Sequence, residues 1–427
     1  MTLLSSLISS TNGLLAQSTA LSGISDDLAN ASTTAYKSTG TSFSDLVSSS
    51  LSSGTSTAST GSGVTASAKY NNSAQGTISS TSTSTDLAVN GSGYFAVKTA
   101  TENTDGTLTF SSDTYYTRSG DFTPNADGYM ENSEGYYLLG YSENSTTGTV
   151  DTSTLTPVQI SSSMTDAAVA TTTLGYAANL PASADVGTTT TASSETIYDS
   201  TGASHDVSYS WTKTDTNTWT LNVTAADGAY DSSTGTSGDY SASASVTFDS
   251  SGNVASIDTG DGYTVSGNSI SFDLSYQGAS TQTISSDLSN TTQYAASSIS
   301  VSSFTQDGIA SGSYSSVSVD SSGNVSVNYS NGESKTYYEI PVATFRAADS
   351  LAAISRNAYQ ATYSSGAATY SAAGTSGAGS ISSSSLESSD VDIATEFTDM
   401  ISTQQNYSAN AKVVTSVNEM MKTLVNL

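Results

Sequence analysis

Both ends of this chain carry apolar residues at a spacing of seven, and that shared repeat constrains the fold more than anything between them. Near the start, Leu7, Leu14, Leu21 and Leu28 form one row, and Leu4, Ile8, Leu15 and Ile24 widen the stripe. Near the end, Ile393, Met400, Tyr407, Val414 and Met421 form a row. Phe397, Gln404, Ala411, Asn418 and Val425 run beside it, offset by four, and Leu386 extends the first row backwards. A helix with such a repeat presents a continuous seam that asks for another helix. The spacing predicts helices from about Leu3 to Ala31 and across the last forty or so residues. The residues expected to carry the seam are Leu7, Leu14, Leu21, Ile24 and Leu28 at one end. At the other they are Ile393, Phe397, Met400, Tyr407, Ala411, Val414 and Met421.

Local chemistry agrees with two helices that depend on packing. Gly13 and Gly23 each lower intrinsic helicity by ~1 kcal/mol relative to Ala, so the first helix is marginal alone. Ser389 with Asp392 three residues later resembles a capping box for the second. Asp390, Asp392, Glu396 and Asp399 load its first turns with negative charge, and Lys412 and Lys422 sit towards its end, the favourable sense for the helix dipole. Gln404 and Asn418 suit a register-setting role in the seam. Two arrangements would cover the seams. The helices could pair within one molecule and clamp what lies between, or they could also pack between molecules as a polymer core. The width of the N-terminal stripe exceeds what one strict seam needs and leans towards assembly.

Residues 47–85 are almost entirely Ser, Thr, Gly and Ala, a composition that cannot bury enough apolar area to fold alone. A similar stretch covers 364–385, and both read as joints. From Leu87 the pattern changes to short alternating runs, such as Tyr94-Phe95-Ala96-Val97 and His205 to Trp211. Turn pairs separate them: Asn90-Gly91, Asp127-Gly128, Glu134-Gly135 and Asn331-Gly332. The phrase Phe248-Asp249-Ser250-Ser251-Gly252-Asn253-Val254 is echoed at Val319-Asp320-Ser321-Ser322-Gly323-Asn324-Val325. The fold expected is therefore mixed and mainly β: two antiparallel β domains on a stem of paired N- and C-terminal coiled-coil helices. Residues 1–46 would hold the N-terminal stem and the start of a linker, and 47–86 a linker or extended arm. Residues 87–164 and 286–363 would form a discontinuous inner β domain, with 165–285 inserted as an outer one. A linker at 364–385 would lead to the C-terminal stem at 386–427.

Composition narrows the chemistry. Among the 427 residues there is no cysteine and one histidine, which removes disulfides, thiolate catalysis, Cys-ligated zinc and any two-histidine arrangement. Ten Lys+Arg against 38 Asp+Glu give a net charge of −28, which repels nucleic acid and anionic membrane surfaces. No apolar run approaches the length of a membrane span, so no membrane insertion is expected. Residues 1–30 hold no Lys or Arg and do not read as a standard signal peptide.

No enzymatic constellation stands out. His205 has Asp206 beside it, but neighbours in a strand point to opposite faces and make a poor dyad. No nucleophile elbow sits between a strand and a helix. Asp121, Asp127, Glu131 and Glu134 cluster at two turns. The phrase from Asp121 to Gly128 lacks the glutamate that closes an EF-hand loop. Lys98, Arg118, Arg346 and Arg356 are scattered and read as partners of local acids or as helix caps. Trp211 and Trp219 flank the turn-like Thr214-Asp215-Thr216-Asn217. They read as β core before they read as a carbohydrate platform. No metal site, cofactor site or catalytic residue is assigned.

The terminal phrases resemble the axial rod and hook proteins of the bacterial flagellum, the hook branch above all. The first is Ser22-Gly23-Ile24-Ser25-Asp26-Asp27-Leu28-Ala29-Asn30-Ala31, continued by Thr34-Ala35-Tyr36-Lys37-Ser38 and by Phe43 and Asp45-Leu46. Asp26-Asp27 stand where that family usually has an asparagine pair. The second is Leu386-Glu387-Ser388-Ser389-Asp390-Val391-Asp392, continued by Thr403 to Tyr407, Asn410-Ala411 and Thr423 to Leu427. Between them, Leu87 to Phe95, Tyr116 to Phe122, Phe304 to Gly308 and Tyr329 to Glu333 follow the family's order. The resemblance spans nearly the whole chain and is loose only in the Ser/Thr-rich joints and parts of 165–285.

The resemblance implies a non-enzymatic polymer subunit without cofactors. Its termini would line a narrow channel, and its β domains would form outer shells of a short curved tube joining rod to filament. It implies self-association as a helical homopolymer, and contact with rod, hook-cap and hook–filament junction proteins. It also implies passage through the flagellar export apparatus to an extracellular place in the hook. Two alternatives stay open at this point: a rod component, and a secreted β-rich carbohydrate-binding or hydrolase protein.

Overall fold

The computed structural model describes residues 3–48, 60–103, 105–144, 148–231, 236–260 and 262–425. The chain divides into two compact units. Unit 1 comprises 1–162, 316–328 and 334–427, and unit 2 comprises 163–315 and 329–333.

Unit 1 holds two long helices, α1 (Leu3–Ala29) and α2 (Ile393–Val425), packed against each other. Serine and threonine are tolerated inside α1 because their hydroxyls bond back to the preceding turn. Ser10 Oγ donates to Ser6 O at 2.8 Å, Thr11 Oγ1 to Leu7 O at 2.9 Å and Ser25 Oγ to Leu21 O at 2.7 Å. Helix α1 stops at Ala29, where Asn30 turns its amide back on Asp26 O at 2.9 Å. The cap of α2 is Asp392 alone. Its Oδ1 accepts from the amides of Ala394 and Thr395 at 2.9 and 3.2 Å. Ser389 Oγ instead accepts from Val391 N at 3.3 Å, so the capping box expected from Ser389 to Asp392 is corrected to a single Asp cap.

After α1 the chain forms an antiparallel strand pair, β1 (Thr39–Ser48) with β2 (Thr60–Tyr70), which packs along α1. Much of the expected 47–86 linker is thus strand: β2 itself, and Ile78–Ser80 paired with Ser385–Glu387. The expected 364–385 linker is likewise strand in large part. Thr369–Ala372 pairs with Pro341–Thr344, and Ser380–Ser383 pairs with Leu87–Asn90. Both corrections have one cause. A strand added to an existing sheet needs backbone hydrogen bonds from its own residues, while the apolar face comes from its neighbours. β2 packs on α1, and Thr369–Ala372 packs through Tyr370 on the aromatic core of unit 1. Tyr94, Ala96, Tyr116, Leu139, Ala343, Leu351 and Tyr359 pack together, with Phe345 set edge-on to Tyr94 and Tyr116.

Unit 2 is built from two sheets that share one core. One runs in the order of strands Ser193–Tyr198, Ser204–Asp215, Thr218–Asp231, Thr236–Phe248 and Val254–Ile257. Its inward residues alternate strictly: Val207, Tyr209 and Trp211; Trp219, Leu221, Val223 and Ala225; Tyr240, Ala242, Ala244, Val246 and Phe248. The other sheet centres on Thr173–Pro181, which contributes Leu174, Tyr176, Ala178 and Leu180 to the same cluster. This second sheet is mixed rather than purely antiparallel. Thr173–Pro181 pairs in parallel with Gln282–Asp287 and Thr292–Tyr294, and antiparallel with Ser300–Gln306. Those last two strands place 286–315 in unit 2, so the boundary expected near 285 moves to about 315.

The repeated phrase forms the same turn twice. Asp249 Oδ1 accepts from the amides of Ser251 and Asn253, and Asp320 Oδ1 from those of Ser322 and Asn324, all at 2.8–2.9 Å. Gly252 and Gly323 take the left-handed position that closes each turn, with φ of 82° and 92°.

Candidate assembly surface

The stem buries small residues and leaves its large ones out. On α1 the buried positions are Ser10, Gly13, Ala16, Ala20 and Asp27. The leucine row Leu7, Leu14, Leu21 and Leu28, together with Ile24, is half-buried, and Ile8 and Leu15 are exposed. On α2 the buried positions are Thr403 and Val417, with Met400, Ala411 and Val414 half-buried. Ile393, Phe397, Tyr407 and Met421 lie exposed, as do Ile401, Val413 and Met420, which the heptad reading did not single out. Phe43 and Leu46 on β1 and Tyr70 on β2 are exposed as well. The seam residues therefore divide into two classes. Some line the pairing of α1 with α2, and others stay open to solvent along α2, each 40–50% exposed.

Where the two helices meet the base of the β1–β2 pair, a cavity of about 350 Å³ is lined by Gln17, Ala20, Ile24, Asp27, Glu396 and Asp399 among others. Asp27 sits in the last turn of α1, the unfavourable end for a negative charge. Thr39 N donates to it at 3.0 Å and Tyr36 Oη at 3.0 Å, yet burial still raises its carboxyl above the usual aspartate range. Glu396 is raised too, by burial first and then by repulsion from Asp27, Asp399, Asp390 and Asp392. The stem thus carries a concentration of acid that its own fold does not neutralise.

Residues 30–38 form an elbow between α1 and β1. It is held from the far end of the chain. Ala35 N donates to Glu387 O at 2.8 Å, Ser38 N to Asp390 Oδ1 at 2.7 Å and Asn357 Nδ2 to Thr34 O at 2.7 Å. Lys37 pairs with the Glu387 carboxylate, which also receives Arg118 Nη1 at 3.1 Å. All three side chains are buried. In sequence, Lys37 and Glu387 have no role beyond membership of the terminal phrases, and Arg118 reads there as a partner of local acids or a helix cap. Its partner is in fact 269 residues away. The one available signal was the basic and acidic residues inside the two terminal phrases.

The remaining candidates are structural. Trp211 and Trp219 are fully buried in the core of unit 2, on one face of a hairpin, and offer no platform to a sugar. His205 stacks on Tyr276 with ring centroids 3.5 Å apart, and its Nε2 lies 3.3 Å from Asp199 Oδ2. Asp206 points elsewhere and accepts from Thr196 Oγ1 at 2.8 Å. Asp121 accepts from Ser119 Oγ at 2.7 Å, and Asn125 Oδ1 caps the turn through the amides of Asp127 and Tyr129. Among the described residues no group of three or more acidic or His side chains could hold a metal ion.

Residues 88–173 match the family described as the flagellar hook protein FlgE/F/G D1 domain. Residues 166–309 match the flagellar basal body protein FlaE D2 domain, and residues 382–427 the flagellar basal body rod FlgEFG protein C-terminal family. A solved structure, that of the Helicobacter pylori flagellar hook protein FlgE2, aligns with a TM-score of 0.49 and 15% identity over 73% of this chain and 100% of that one. The flagellar hook protein FlgE of Rhizobium meliloti is 34% identical over 433 aligned residues, covering 100% of both chains. That of Brucella abortus is 33% identical over 97% of both, and that of Escherichia coli 29% identical over 97% of this chain and 98% of its own. With matches of this extent at both helices and through both β units, the chain belongs to the flagellar hook protein FlgE family.

Proposed function

We propose that this chain is the structural subunit of the bacterial flagellar hook and polymerises into a curved tube that couples rod to filament and transmits torque. The protein is structural rather than enzymatic, and it is an extracellular component of the flagellum that associates with copies of itself. The observation that carries the reading is the outward row of α2. Ile393, Phe397 and Ile401, spaced by four along one flank of α2, are 47–56% exposed in the subunit, and Val413 and Met420 on the other flank are 43% and 49% exposed. A helix that leaves large apolar side chains on both flanks of its partner seam is incomplete in water and is completed by other helices. In the assembled tube those positions, with Leu7, Leu14, Leu21, Ile24 and Leu28 behind them, would form the seam between subunits. Met400, Ala411 and Val414 would hold α2 to α1 within each subunit.

The finer placement follows the same reading. Neighbours at the two ends of the tube would be rod proteins and hook–filament junction proteins, with a hook cap present during growth. Delivery would run through the flagellar export apparatus. Immunogold electron microscopy of intact cells, with antibody raised against 165–285, tests the placement. Label confined to a short curved segment at each filament base supports it. Label along whole filaments, or within the rod, replaces it with another axial role.

A further inference from the structure

Glu387 ends the short strand Ser385–Glu387 and is completely buried. Its carboxylate accepts from Lys37 Nζ, from Arg118 Nη1 at 3.1 Å and from the amide of Gly76 at 2.7 Å. These partners lie 350, 269 and 311 residues away in the chain. One carboxylate therefore serves two buried cations. Arg118 has further support, since its Nη2 donates to Gly91 O at 2.6 Å and its guanidinium lies over the Tyr94 ring. Lys37 leans on Glu387 and, more distantly, on the charge of Asp390. Taking charges out of water is expensive, and apolar replacements of similar volume often stabilise a protein as well or better. Stability alone is thus a poor account of this knot. What it does fix is where the elbow goes. Tyr36 ties the elbow to Asp27 of α1, and the other anchors of 34–38 described above belong to residues 357, 387 and 390.

We propose that Lys37 is a positioning residue: its pairing with Glu387 makes the placement of α1, and with it the assembly surface, conditional on docking of the C-terminal segment. This rests on the polymer reading above. Until 385–390 is in place, Ala35 N, Lys37 Nζ and Ser38 N lack their folded-state acceptors, and of the described anchors only Asn357 holds the elbow to the strands of unit 1. Once 385–390 docks, one buried contact sets the elbow and delivers α1 to α2. The stem then becomes assembly-competent only in a subunit whose two ends have met.

The full-length Lys37→Met variant tests this, because it leaves Arg118 and Gly76 on Glu387 as a balanced one-to-one pair. Hydrogen exchange read by mass spectrometry should speed up ~tenfold or more in peptides covering 30–40. Peptides covering 94–98 and 115–117 should exchange as in the wild type. Polymer yield at equal chain concentration should fall by about tenfold, and Lys37→Arg, which keeps the cation, should recover most of both losses. Unchanged exchange in 30–40, or acceleration spread evenly over unit 1, overturns the proposal. Should Lys37→Met fail to fold, Asp390→Asn decides the matter, since it weakens the acceptor of Ser38 N and leaves the buried trio intact. It should loosen the same peptides, and no change there overturns the proposal equally. A wild-type chain that never polymerises would sink the hook reading, while the exchange measurement would still decide the lock.

Discussion

Gly13 of α1 faces Asn410 of α2 so closely that a Cβ at residue 13 would lie 2.9 Å from Asn410 Nδ2. The helices approach there because one of them has no side chain. An alanine at 13 would gain ~1 kcal/mol of helix propensity and lose some of it by pushing on a side-chain end that can swing away. A leucine cannot be accommodated that way. Gly13→Ala should change the thermal midpoint of the stem by no more than a few degrees. Gly13→Leu should separate α1 from α2 and sharply lower the midpoint read by helical circular dichroism. A Leu variant that melts like the wild type would mean the helices do not pair in this register.

Val417 and Phe397 separate the two classes of stem residue. Val417 is buried at 3% exposure and Phe397 is 47% exposed. Val417→Ala should destabilise helix pairing by about 1–2 kcal/mol, as loss of buried methyl groups does. Phe397→Ser should leave the monomer within about 0.5 kcal/mol. Chemical denaturation of monomeric protein, followed by circular dichroism, compares the two. Equal costs would show that the outward row is covered within the subunit.

The two tryptophans differ in one hydrogen bond. Trp211 Nε1 donates to Tyr176 Oη at 3.3 Å, while Trp219 Nε1 is buried without a partner. Replacement by Phe removes a satisfied donor at 211 and an unsatisfied one at 219. Trp211→Phe should therefore cost unit 2 about 1 kcal/mol more than Trp219→Phe. The fluorescence of the remaining tryptophan reports each melt. The reverse order would contradict the assigned geometry of the core.

The two units should answer a rise from pH 5 to 8 differently. In unit 1, burial first and then repulsion from Asp121 push Glu134 from 4.5 up to about 7, and Asp27 and Glu396 are raised as well. For a raised carboxyl the unfolded chain ionises first. Stability is present at low pH and is lost as pH rises, between 4.5 and about 7 for Glu134. In unit 2, burial alone would raise Asp307, but hydrogen bonds from Thr172 and Thr173 outweigh it and draw it from 3.8 down to about 2. Asp199 is lowered in the same way. For these groups stability is present above 3.8 and is lost as pH falls towards about 2. Both tryptophans lie in unit 2 and both long helices in unit 1. Raising pH from 5 to 8 should lower the helical melt and leave the tryptophan melt nearly still. Glu134→Gln should flatten part of the helical response. Parallel movement of both melts would refute this assignment.

The stem was legible as helix because a seven-residue repeat survives any tertiary detail. Which side it buries was not legible. Leu7, Leu14, Leu21 and Leu28 dominate the pattern, yet apart from Asp27 the residues of α1 that the subunit buries are Ser10, Gly13, Ala16 and Ala20, because close helix approach selects small residues. The leucines advertise a face that pairwise packing inside one molecule does not fully use. Alternation likewise revealed the sandwich strands of unit 2, since Val207, Tyr209 and Trp211 signal burial at every second position. Strands such as Thr369–Ala372 and Ser380–Ser383 were hidden because they borrow their apolar partners from other strands. The elbow was hidden for a different reason. Lys37, Arg118 and Glu387 are single charges hundreds of residues apart, and nothing local marks them as one contact.

Under the proposed function, the exposed apolar flanks of α2 are completed by other copies of the chain. The most direct measurement compares wild type with the double variant Phe397→Ser, Ile401→Ser under polymerising conditions, by sedimentation and electron microscopy. Tubes are expected from the wild type and none from the variant, with superimposable melts of the two monomers. Tubes of equal yield from both chains would contradict it.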